Sequence, residues 1–281
     1  MKDYQPILFP YAYNILGSAE DARDAIQDVL AKYYTDAREG VGNEKAYLVK
    51  SVINHAINMK TRRKRTVQQE VWLPEPVATE SADSNINLKD ILSYSLLVLL
   101  EKLNARERAV FILKESFDYG HDEIAEILSI TETHSRKLLS RAKSKLFKPA
   151  EHIEHKVLDE RTNALLQNYI NVIRERDMSK LESLLAEDVV FYADGGGKRR
   201  VVRQVCTGVA EVAVLVDLVY QTYQSKSNFR FIEVNHQPAF LVYNKDLLVT
   251  CMIFDFSPEG KILQISSVVD PDKLKNIQQG L

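Results

Sequence analysis

The spacing of apolar residues predicts helices over the first part of the chain. Between Ala19 and Tyr34 the apolar side chains recur every three or four positions, which is the period of a helix with one buried face. Ser18 precedes this helix and Asn43 precedes a second long one, and both residue types are common helix N-caps. We therefore predict a helical N-terminal domain over residues 1–65, whose second helix ends in the basic run Lys60 to Arg65.

A segment rich in proline and polar residues follows. It contains Trp72-Leu73-Pro74-Glu75-Pro76 and then a short polar, acidic run. Two prolines at this spacing exclude a regular helix, because each removes an amide donor and restricts the residue before it. Residues 66–87 are predicted to form a linker with an extended anchor segment. Trp72 is expected to anchor the linker on a neighbouring domain, although a buried tryptophan can also simply pack in a core.

The helical pattern returns over residues 88–148, which contain the sharpest local signal in the sequence. Asp122 to Leu128 predicts a short helix, and Thr131 caps the next one. Ala125 stands where two steeply crossing helices need a small side chain, which is typical of a helix-turn-helix. The second helix is cationic and can lie in the major groove of DNA, with its first side chains on base edges. A solvated basic helix in an all-α domain is the alternative interpretation.

The pattern changes after a second predicted linker, residues 149–160. Residues 161–281 begin with a helical pattern and then show strand-like segments with turns between them. We therefore predict a multidomain chain, with two all-α domains followed by an α+β domain. The predicted strands are Val189–Tyr192, Phe229–Val234, Ala239–Tyr243, Leu247–Phe256 and Ile262–Val269.

Composition narrows the class of protein. The longest apolar run, Leu96 to Leu100, is far shorter than the roughly 20 residues of a membrane span. No secretion signal is visible at the N-terminus, and two distant cysteines, Cys206 and Cys251, argue against a disulfide scaffold or a zinc site. We predict a cytoplasmic protein without a membrane contact, metal or cofactor. The formal net charge of −2 conceals a segregation of charge along the chain.

The second long helix carries side chains that suit single-stranded DNA. Tyr47, Lys50, Asn54 and Asn58 follow one side of it, beside the basic run. Aromatic and amide groups next to phosphate-binding cations fit the capture of an unstacked strand. The basic run alone is weak evidence, because such runs are usually solvated. Two DNA-facing units on one chain are nevertheless hard to explain with a simple repressor.

Three consecutive glycines follow the first predicted strand, in Asp194-Gly195-Gly196-Gly197-Lys198. Glycine reaches backbone conformations that other residues avoid, so the segment predicts either a tight turn or a loop that contacts another domain. It does not fit a Walker phosphate-binding loop. Asp194, His236 and Asp255 are the candidates for acid–base catalysis in this domain, but their spacing ties them into no dyad. We predict no enzymatic activity.

These residues resemble the sigma-70 superfamily, and within it the small extracytoplasmic-function group. Tyr13 to Val29 is similar to regions 2.1 and 2.2 of that family. The resemblance implies that Asp24, Gln27 and Asp28 bind the clamp helices of the polymerase β′ subunit; acceptors three and four apart do share a helix face, although a solvated face is the alternative.

The rest of the sigma resemblance concerns promoter DNA. Ala46 to Arg62 is similar to regions 2.3 and 2.4, which melt and read the minus-ten element. Leu103 to Phe111 and the helix-turn-helix are similar to region 4, which reads the minus-thirty-five element and implies a contact with the polymerase β flap. The DNA-binding residues so implied are Tyr47, Lys50, Asn54, Asn58, Arg62, Arg63, His134, Arg136, Lys137 and Arg141.

The resemblance narrows to a sigma-J-like subgroup with a fused SnoaL-like domain, a cone around an apolar pocket. Three motifs carry this narrower resemblance: the segment from Trp72, the segment Asp194 to Lys198, and the segment from Asp270. This implies a regulatory C-terminal domain that replaces a separate anti-sigma factor and a pocket that can hold a small ligand of unknown identity. Ser135 departs from the family, which buries an aliphatic residue there, and Asp270 replaces the commoner Asn. The implied interdomain regulatory residues are Trp72, Pro74, Asp194, Gly195, Gly196, Gly197, Lys198, Asp270, Pro271, Asp272 and Lys273.

The sequence thus predicts an RNA polymerase sigma factor that directs promoter-specific transcription initiation, with core RNA polymerase and promoter DNA as its partners. Two alternatives stay open. One is a one-component, ligand-responsive helix-turn-helix regulator that works without polymerase. The other is a SnoaL-like enzyme fused to a DNA-binding region.

Overall fold

The computed structural model describes residues 3–35, 42–63, 71–79, 88–146, 160–201 and 205–279. The chain divides into two compact units. Of the described residues, the first unit contains those up to 63 together with 88–92 and 96–146. The second unit contains 71–79, 93–95 and everything from 160 onward. The predicted linker segment around Trp72 is therefore part of the second unit.

Two helices in the first part of the chain begin at the predicted caps. The Asp21 amide donates to Ser18 Oγ over 3.2 Å, and the Ala46 amide donates to Asn43 Oδ1 over 3.1 Å, so both predicted N-caps are confirmed. The helices are α1 (Gln5–Leu16), α2 (Ala19–Thr35), α3 (Glu44–Arg63), α4 (Tyr94–Leu100), α5 (Ala105–Glu115), α6 (His121–Leu128) and α7 (Glu132–Leu146), with a 3₁₀ turn at Leu88–Asp90.

The predicted helix-turn-helix is formed by α6 and α7. Ser129 ends α6 with a φ of 53°, the left-handed conformation that commonly terminates a helix. Thr131 then caps α7 by accepting the His134 amide over 3.2 Å. Ile124, Ala125 and Leu128 of α6 are buried, as the sequence pattern predicted.

The second unit is an α+β structure around one mixed sheet. Its strands run in the order β2-β1-β6-β5-β4-β3, with β1 and β6 parallel and the other neighbouring pairs antiparallel. The elements are α8 (Glu160–Glu175), α9 (Met178–Leu184), β1 (Leu185–Asp194), β2 (Cys206–Thr207), α10 (Val209–Val219), β3 (Asn228–Val234), β4 (Gln237–Asn244), β5 (Leu247–Phe256), β6 (Ile262–Val268) and α11 (Pro271–Gln279), with a π-helical turn at Tyr220–Gln224 after α10.

All five predicted strands are confirmed, with shifts of a few residues at their ends. The sequence missed β2, because two residues carry no alternating pattern. The segment 71–79 contains no helix, as its prolines predicted, and Ala78 pairs with Val234 at the edge of β3.

Aromatic rings pack in the interior of the second unit. The Tyr169 ring lies edge-on to Phe254 with centroids 4.9 Å apart, and Phe240 lies 5.2 Å from Phe254 and 5.4 Å from Phe229. Burial raises the pKa of the Tyr169 hydroxyl. These rings occupy the interior, where the sequence predicted an apolar pocket.

Candidate nucleic-acid interface and linker site

Helix α7 separates apolar from cationic side chains. Leu138, Ala142 and Leu146 are buried, which leaves the opposite face to solvent. The four residues predicted to read the upstream promoter element are all exposed on that helix: His134, Arg136, Lys137 and Arg141. This arrangement lets α7 present cations and a ring to DNA while its other face holds it in the fold.

The family departure at Ser135 has a structural explanation. Ser135 is fully buried, and its Oγ lies 2.8 Å from Nδ1 of His121 at the start of α6. A hydroxyl here would otherwise be an unsatisfied polar group in the helix-turn-helix core. Burial lowers the pKa of His121, and the nearby charges of Arg136 and Lys114 lower it further, which favours the neutral ring. The pair therefore joins the two helices.

On α3, the predicted single-strand face is exposed only in part. Asn58 and Arg62 are exposed, and Tyr47 is half-buried with its ring 5.8 Å from Tyr33. Arg63 is the last residue of α3, and its side chain lies outside the described residues.

The middle of that face meets α6. The Asn54 amide donates to the Ile127 carbonyl over 2.8 Å and to the Lys50 carbonyl over 2.8 Å. Lys50 Nζ lies 3.8 Å from Glu126 Oε1. Two of the predicted DNA-binding side chains are thus engaged by the helix-turn-helix within the first unit.

Lys60 does not belong to an exposed basic run. It is 8% exposed, and its Nζ donates to both carboxylate oxygens of Glu101, at 3.0 and 3.1 Å, and to the Leu16 carbonyl. Lys60, the first residue of the basic run, is therefore not available to a phosphate, because its position on α3 points it into the helical core. Lys64 and Arg65 lie outside the described residues.

The predicted polymerase-binding residues share the solvent face of α2. Asp24, Gln27 and Asp28 are exposed, while Ala25 and Ile26 between them are buried. Asp28 Oδ2 lies 3.2 Å from His55 Nε2 on α3. The face presents two carboxylates and an amide one helical turn apart, which suits a partner with matching donors.

In the second unit, the segment around Trp72 is held by Asp194 and Lys273. The Leu73 amide donates to Asp194 Oδ2 over 2.8 Å. The Lys273 ammonium donates to that same oxygen and to the Leu73 carbonyl, both over 2.5 Å. Its Nζ also lies 4.3 Å from the centre of the Trp72 ring, a cation–π distance. The Pro74 carbonyl accepts the Tyr94 hydroxyl over 2.6 Å.

The three glycines form a tight turn that also makes a close contact. Gly196 has a φ of 60°, and its amide donates to Asp194 Oδ1 over 2.7 Å. A β-carbon at Gly196 would lie 2.1 Å from Asp270 Oδ2, so only glycine fits there. Asp270 also accepts the Asp272 amide near the start of α11, whose first residue is Pro271, and Lys198 pairs with Asp272. Gly195 is buried and Gly197 also has a positive φ.

The sequence did not single out the second group of linker contacts. The Val77 amide donates to Asn235 Oδ1 over 3.0 Å, and the Asn235 amide donates back to the Val77 carbonyl over 2.9 Å. Thr79 Oγ1 donates to Glu233 over 2.6 Å. The signal that could have indicated this second group of contacts is the turn between β3 and β4. Asn235 and His236 both have positive φ there.

The three acid–base candidates have separate surroundings. Asp194 binds Lys273 as described, and His236 lies in the β3–β4 turn with Nδ1 3.6 Å from Glu233. Asp255, on β5, is half-buried. Burial raises its pKa, and hydrogen bonds from Ser95 and Gln237 oppose that rise. The structure does not gather these three residues around a common site. Among the described residues, no group of three His, Cys, Asp or Glu side chains is placed to hold a metal ion.

Comparison with known proteins identifies the two helical parts. Residues 1–66 match the family described as Sigma-70 region 2, and residues 93–146 match Sigma-70, region 4. No helix among the described residues is both long and apolar enough to cross a membrane. One chain thus matches both of these regions of sigma-70-type factors.

Individual sigma factors are also similar to this chain in sequence. The ECF RNA polymerase sigma factor SigJ of Mycobacterium tuberculosis (strain ATCC 25618 / H37Rv) is 27% identical over 199 residues, covering 68% of this chain and 62% of that protein. The ECF RNA polymerase sigma factor SigG of Mycobacterium tuberculosis (strain CDC 1551 / Oshkosh) is 24% identical over 217 residues, covering 67% and 58%. The chain spans less than two thirds of the length of each of these relatives.

A solved structure extends the likeness to the whole fold. The crystal structure of the Mycobacterium tuberculosis extracytoplasmic function sigma factor SigJ superposes with a TM-score of 0.77, at 21% identity, over 97% of this chain and 96% of that one. The chain therefore carries matches to sigma-70 regions 2 and 4, and it resembles the extracytoplasmic-function factor SigJ in sequence and in fold. The predicted fold class, two all-α sigma parts followed by an α+β SnoaL-like part, is confirmed.

Proposed function

We propose that this chain is a sigma factor that joins core RNA polymerase in the cytoplasm and directs it to specific promoters. The observation that carries the proposal is the presence of both sigma regions on one chain, with the cationic face of α7 and the acidic face of α2 open to solvent. A DNA-binding helix alone would need no polymerase-binding face. Neither DNA contact has to be strong, because a shared polymerase raises the effective concentration of both.

Each face receives a role under this proposal. Region 2, about residues 1–65, binds the β′ clamp helices through Asp24, Gln27 and Asp28. Its α3 face then holds the opened minus-ten strand by stacking, amide and phosphate contacts. Region 4, about residues 88–148, contacts the β flap and reads the upstream element through α7.

The C-terminal part, about residues 161–281, is proposed to regulate rather than to catalyse. Its motif residues hold the linker segment through Asp194, Lys273 and the Gly196 turn, and this segment connects the two sigma regions along the chain. We therefore place the regulatory input at the linker contacts.

Transcription in vitro tests the main proposal. Purified chain is mixed with bacterial core polymerase and a sheared genomic library, and the 5′ ends of the transcripts are sequenced. Starts that share spaced upstream motifs are expected only when the chain is present. No chain-dependent start, or tight operator binding by the free chain without any polymerase association, would favour a one-component regulator instead.

A matched pair of variants on α11 tests the regulatory role. Lys273→Met removes the buried ammonium that holds the linker, whereas Lys275→Met removes an exposed ammonium two residues away. We expect only the first change to alter transcript yield per bound chain. Equal yields from both variants and the unchanged chain would contradict a role for the linker contacts.

A further inference from the structure

Helix α10 turns one apolar face to the interior of the second unit and another to solvent. Val212, Ala213 and Val216 are buried in the interior. On the opposite side of the helix, Val214 is 63% exposed and Leu218 is 59% exposed. A surface helix normally turns charged or polar side chains to solvent, and a helix that is apolar all round is normally buried. The outer face of α10 therefore has the composition of a contact surface.

The π-helical turn after α10 extends this outer face. Tyr220 and Gln224 anchor the turn in the interior, where both are buried, whereas Tyr223 between them is 70% exposed. A π turn closes hydrogen bonds from residue i to residue i+5, so it takes about one residue more per turn than an α-helix. Tyr223, five residues after Leu218, is thereby brought toward the side of the helix that carries Leu218. We call Val214, Leu218 and Tyr223 the α10 stripe.

The two ends of the α10 stripe carry opposite charges. Glu211 is exposed in the first turn of α10, and Lys226 is exposed just beyond the π-helical turn. Within the part of the chain that the structure describes, neither side chain forms an ion pair. The other acid on this side of α10 is already compensated, because Asp217 Oδ2 lies 3.7 Å from the Arg176 guanidinium. The stripe is therefore flanked by one acid and one cation that are each available to a partner.

This pattern is complementary to itself when two copies of α10 meet antiparallel. With Leu218 at the twofold axis, Val214 faces Tyr223 of the second copy, because the two residues are four and five positions to either side of Leu218. Glu211 faces Lys226 of the second copy in the same way, seven and eight positions from the axis. A shifted pairing with Glu211 opposite Asp217 would bring two acids together, which is unfavourable. The charges therefore select one register for the apolar stripe.

From these features we infer that the chain forms a homodimer, in which two copies pair through antiparallel α10 stripes about a twofold axis at Leu218. The exposed parts of the stripe and of its flanking charges would bury on the order of 1,000 Å² in total, which is near the lower limit of specific interfaces. An interface of this size supports a dimer that forms and separates with concentration. Each contact occurs twice across the axis, so every substitution acts twice.

Sedimentation equilibrium of the full-length chain, from about 1 to about 300 µM, covers the affinities expected for an interface of this size. Leu218→Arg places two guanidinium groups at the twofold axis. Leu247→Arg is the matched control, because Leu247 is 57% exposed at the start of β5, outside the α10 stripe. We expect the unchanged chain and Leu247→Arg to dimerise with the same dissociation constant. Leu218→Arg should weaken the dimer by about 100-fold or more, since like charges meet at its centre.

A charge exchange tests the register of the two helices. Glu211→Lys alone and Lys226→Glu alone each place like charges opposite each other at both ends of the contact. Each single variant should therefore weaken the dimer by about tenfold. The double variant, Glu211→Lys with Lys226→Glu, restores opposite charges at both ends and should dimerise as the unchanged chain does. All of these side chains are exposed, so the circular dichroism of every variant should match that of the unchanged chain.

Three results would overturn the inference. A chain that stays monomeric up to about 300 µM would exclude the homodimer and assign the α10 stripe to a different protein. A dimer of equal affinity in Leu218→Arg would show that the copies meet elsewhere. A dimer that Leu218→Arg disrupts, but whose affinity the double charge exchange does not restore, would exclude the antiparallel register. The inference concerns the second unit alone, so none of these results decides whether the chain directs transcription.

Discussion

The carboxylate of Asp194 accepts hydrogen bonds from three segments of the second unit: the Leu73 amide of the linker, the Lys273 ammonium of α11 and the Gly196 amide of the glycine turn. Each donor uses a different position around two oxygens, so the three segments must meet in one geometry. Asp270 completes the site by packing against the backbone of Gly196. The sequence motifs around these residues are thus parts of a single site, although they lie far apart along the chain.

Gly196→Ala should destabilise the second unit. An alanine would adopt a φ of 60° at a cost, and its β-carbon would displace the Asp270 carboxylate. Together these effects should cost about 1–3 kcal/mol. Urea unfolding followed by the fluorescence of Trp72, the single tryptophan of the chain, reports on this unit.

Gly42→Ala is the control for that experiment, because a β-carbon at Gly42 meets nothing within 4 Å. The control should unfold at the same urea concentration as the unchanged chain. An equally stable Gly196→Ala would show that the close approach to Asp270 is not required.

At the scale of elements, the repeating patterns in the sequence predicted most of the fold. The caps at Ser18, Asn43 and Thr131 and the five longer strands follow from local spacing, because each depends on neighbours within a few residues. Local spacing also predicted the amphipathic α7. It could not predict that Lys60 is buried against Glu101, since the sequence around Lys60 is the same whether its side chain faces solvent or binds Glu101. Their pairing depends on how α3 packs, over 41 residues of separation.

Arg136→Ala and Arg141→Ala test the reading face of α7. If either guanidinium binds a base edge, its loss should weaken binding to the upstream promoter element by about 1–3 kcal/mol and relax the preference at one position. Competition assays on polymerase complexes, with promoter variants at each base of that element, measure both effects.

Arg161→Ala provides the control for α7, because Arg161 is an exposed arginine of α8 outside both sigma regions. It should leave promoter preference unchanged. Uniform weakening across all promoter variants would instead assign the α7 arginine to a phosphate contact. No effect at all would remove it from the interface.

At the scale of the molecule, the sequence predicted two DNA-binding modules. It did not predict that α6 of one module would contact part of the DNA-binding face of the other. The α3 face was identified from Tyr47, Asn54 and Asn58 as a surface for a single strand. In the structure the middle of that surface binds α6. The reason is general: a surface rich in donors and exposed amides suits an unpaired carbonyl of the same chain as well as it suits DNA. Sequence periodicity finds the surface but cannot say which partner holds it in the free protein.

The carboxylate of Glu101, which binds Lys60 and Arg108, makes the stability of the first unit dependent on pH in a defined direction. Burial acts to raise the pKa of Glu101, but the charges and hydrogen bonds of Arg108 and Lys60 outweigh it and hold that pKa below its ordinary value. A lowered folded-state pKa means that the stabilisation is fully present above the unfolded-state value, about 4.3, and is lost as pH falls through the folded-state value. Lys60 and Arg108 stay charged throughout this range.

The urea concentration that unfolds the first unit, followed by helical circular dichroism, should therefore hold from about pH 7 down to about pH 5 and fall only below the ordinary glutamate value. Glu101→Gln should unfold at a lower urea concentration at pH 7 and should lose the pH dependence that Glu101 causes. A loss of stability of the unchanged chain centred at about pH 6 to 6.5 would point to a histidine instead. His121 beside Ser135 would then be the group to substitute, and the carboxylate of Glu101 would not be the group that sets the pH dependence.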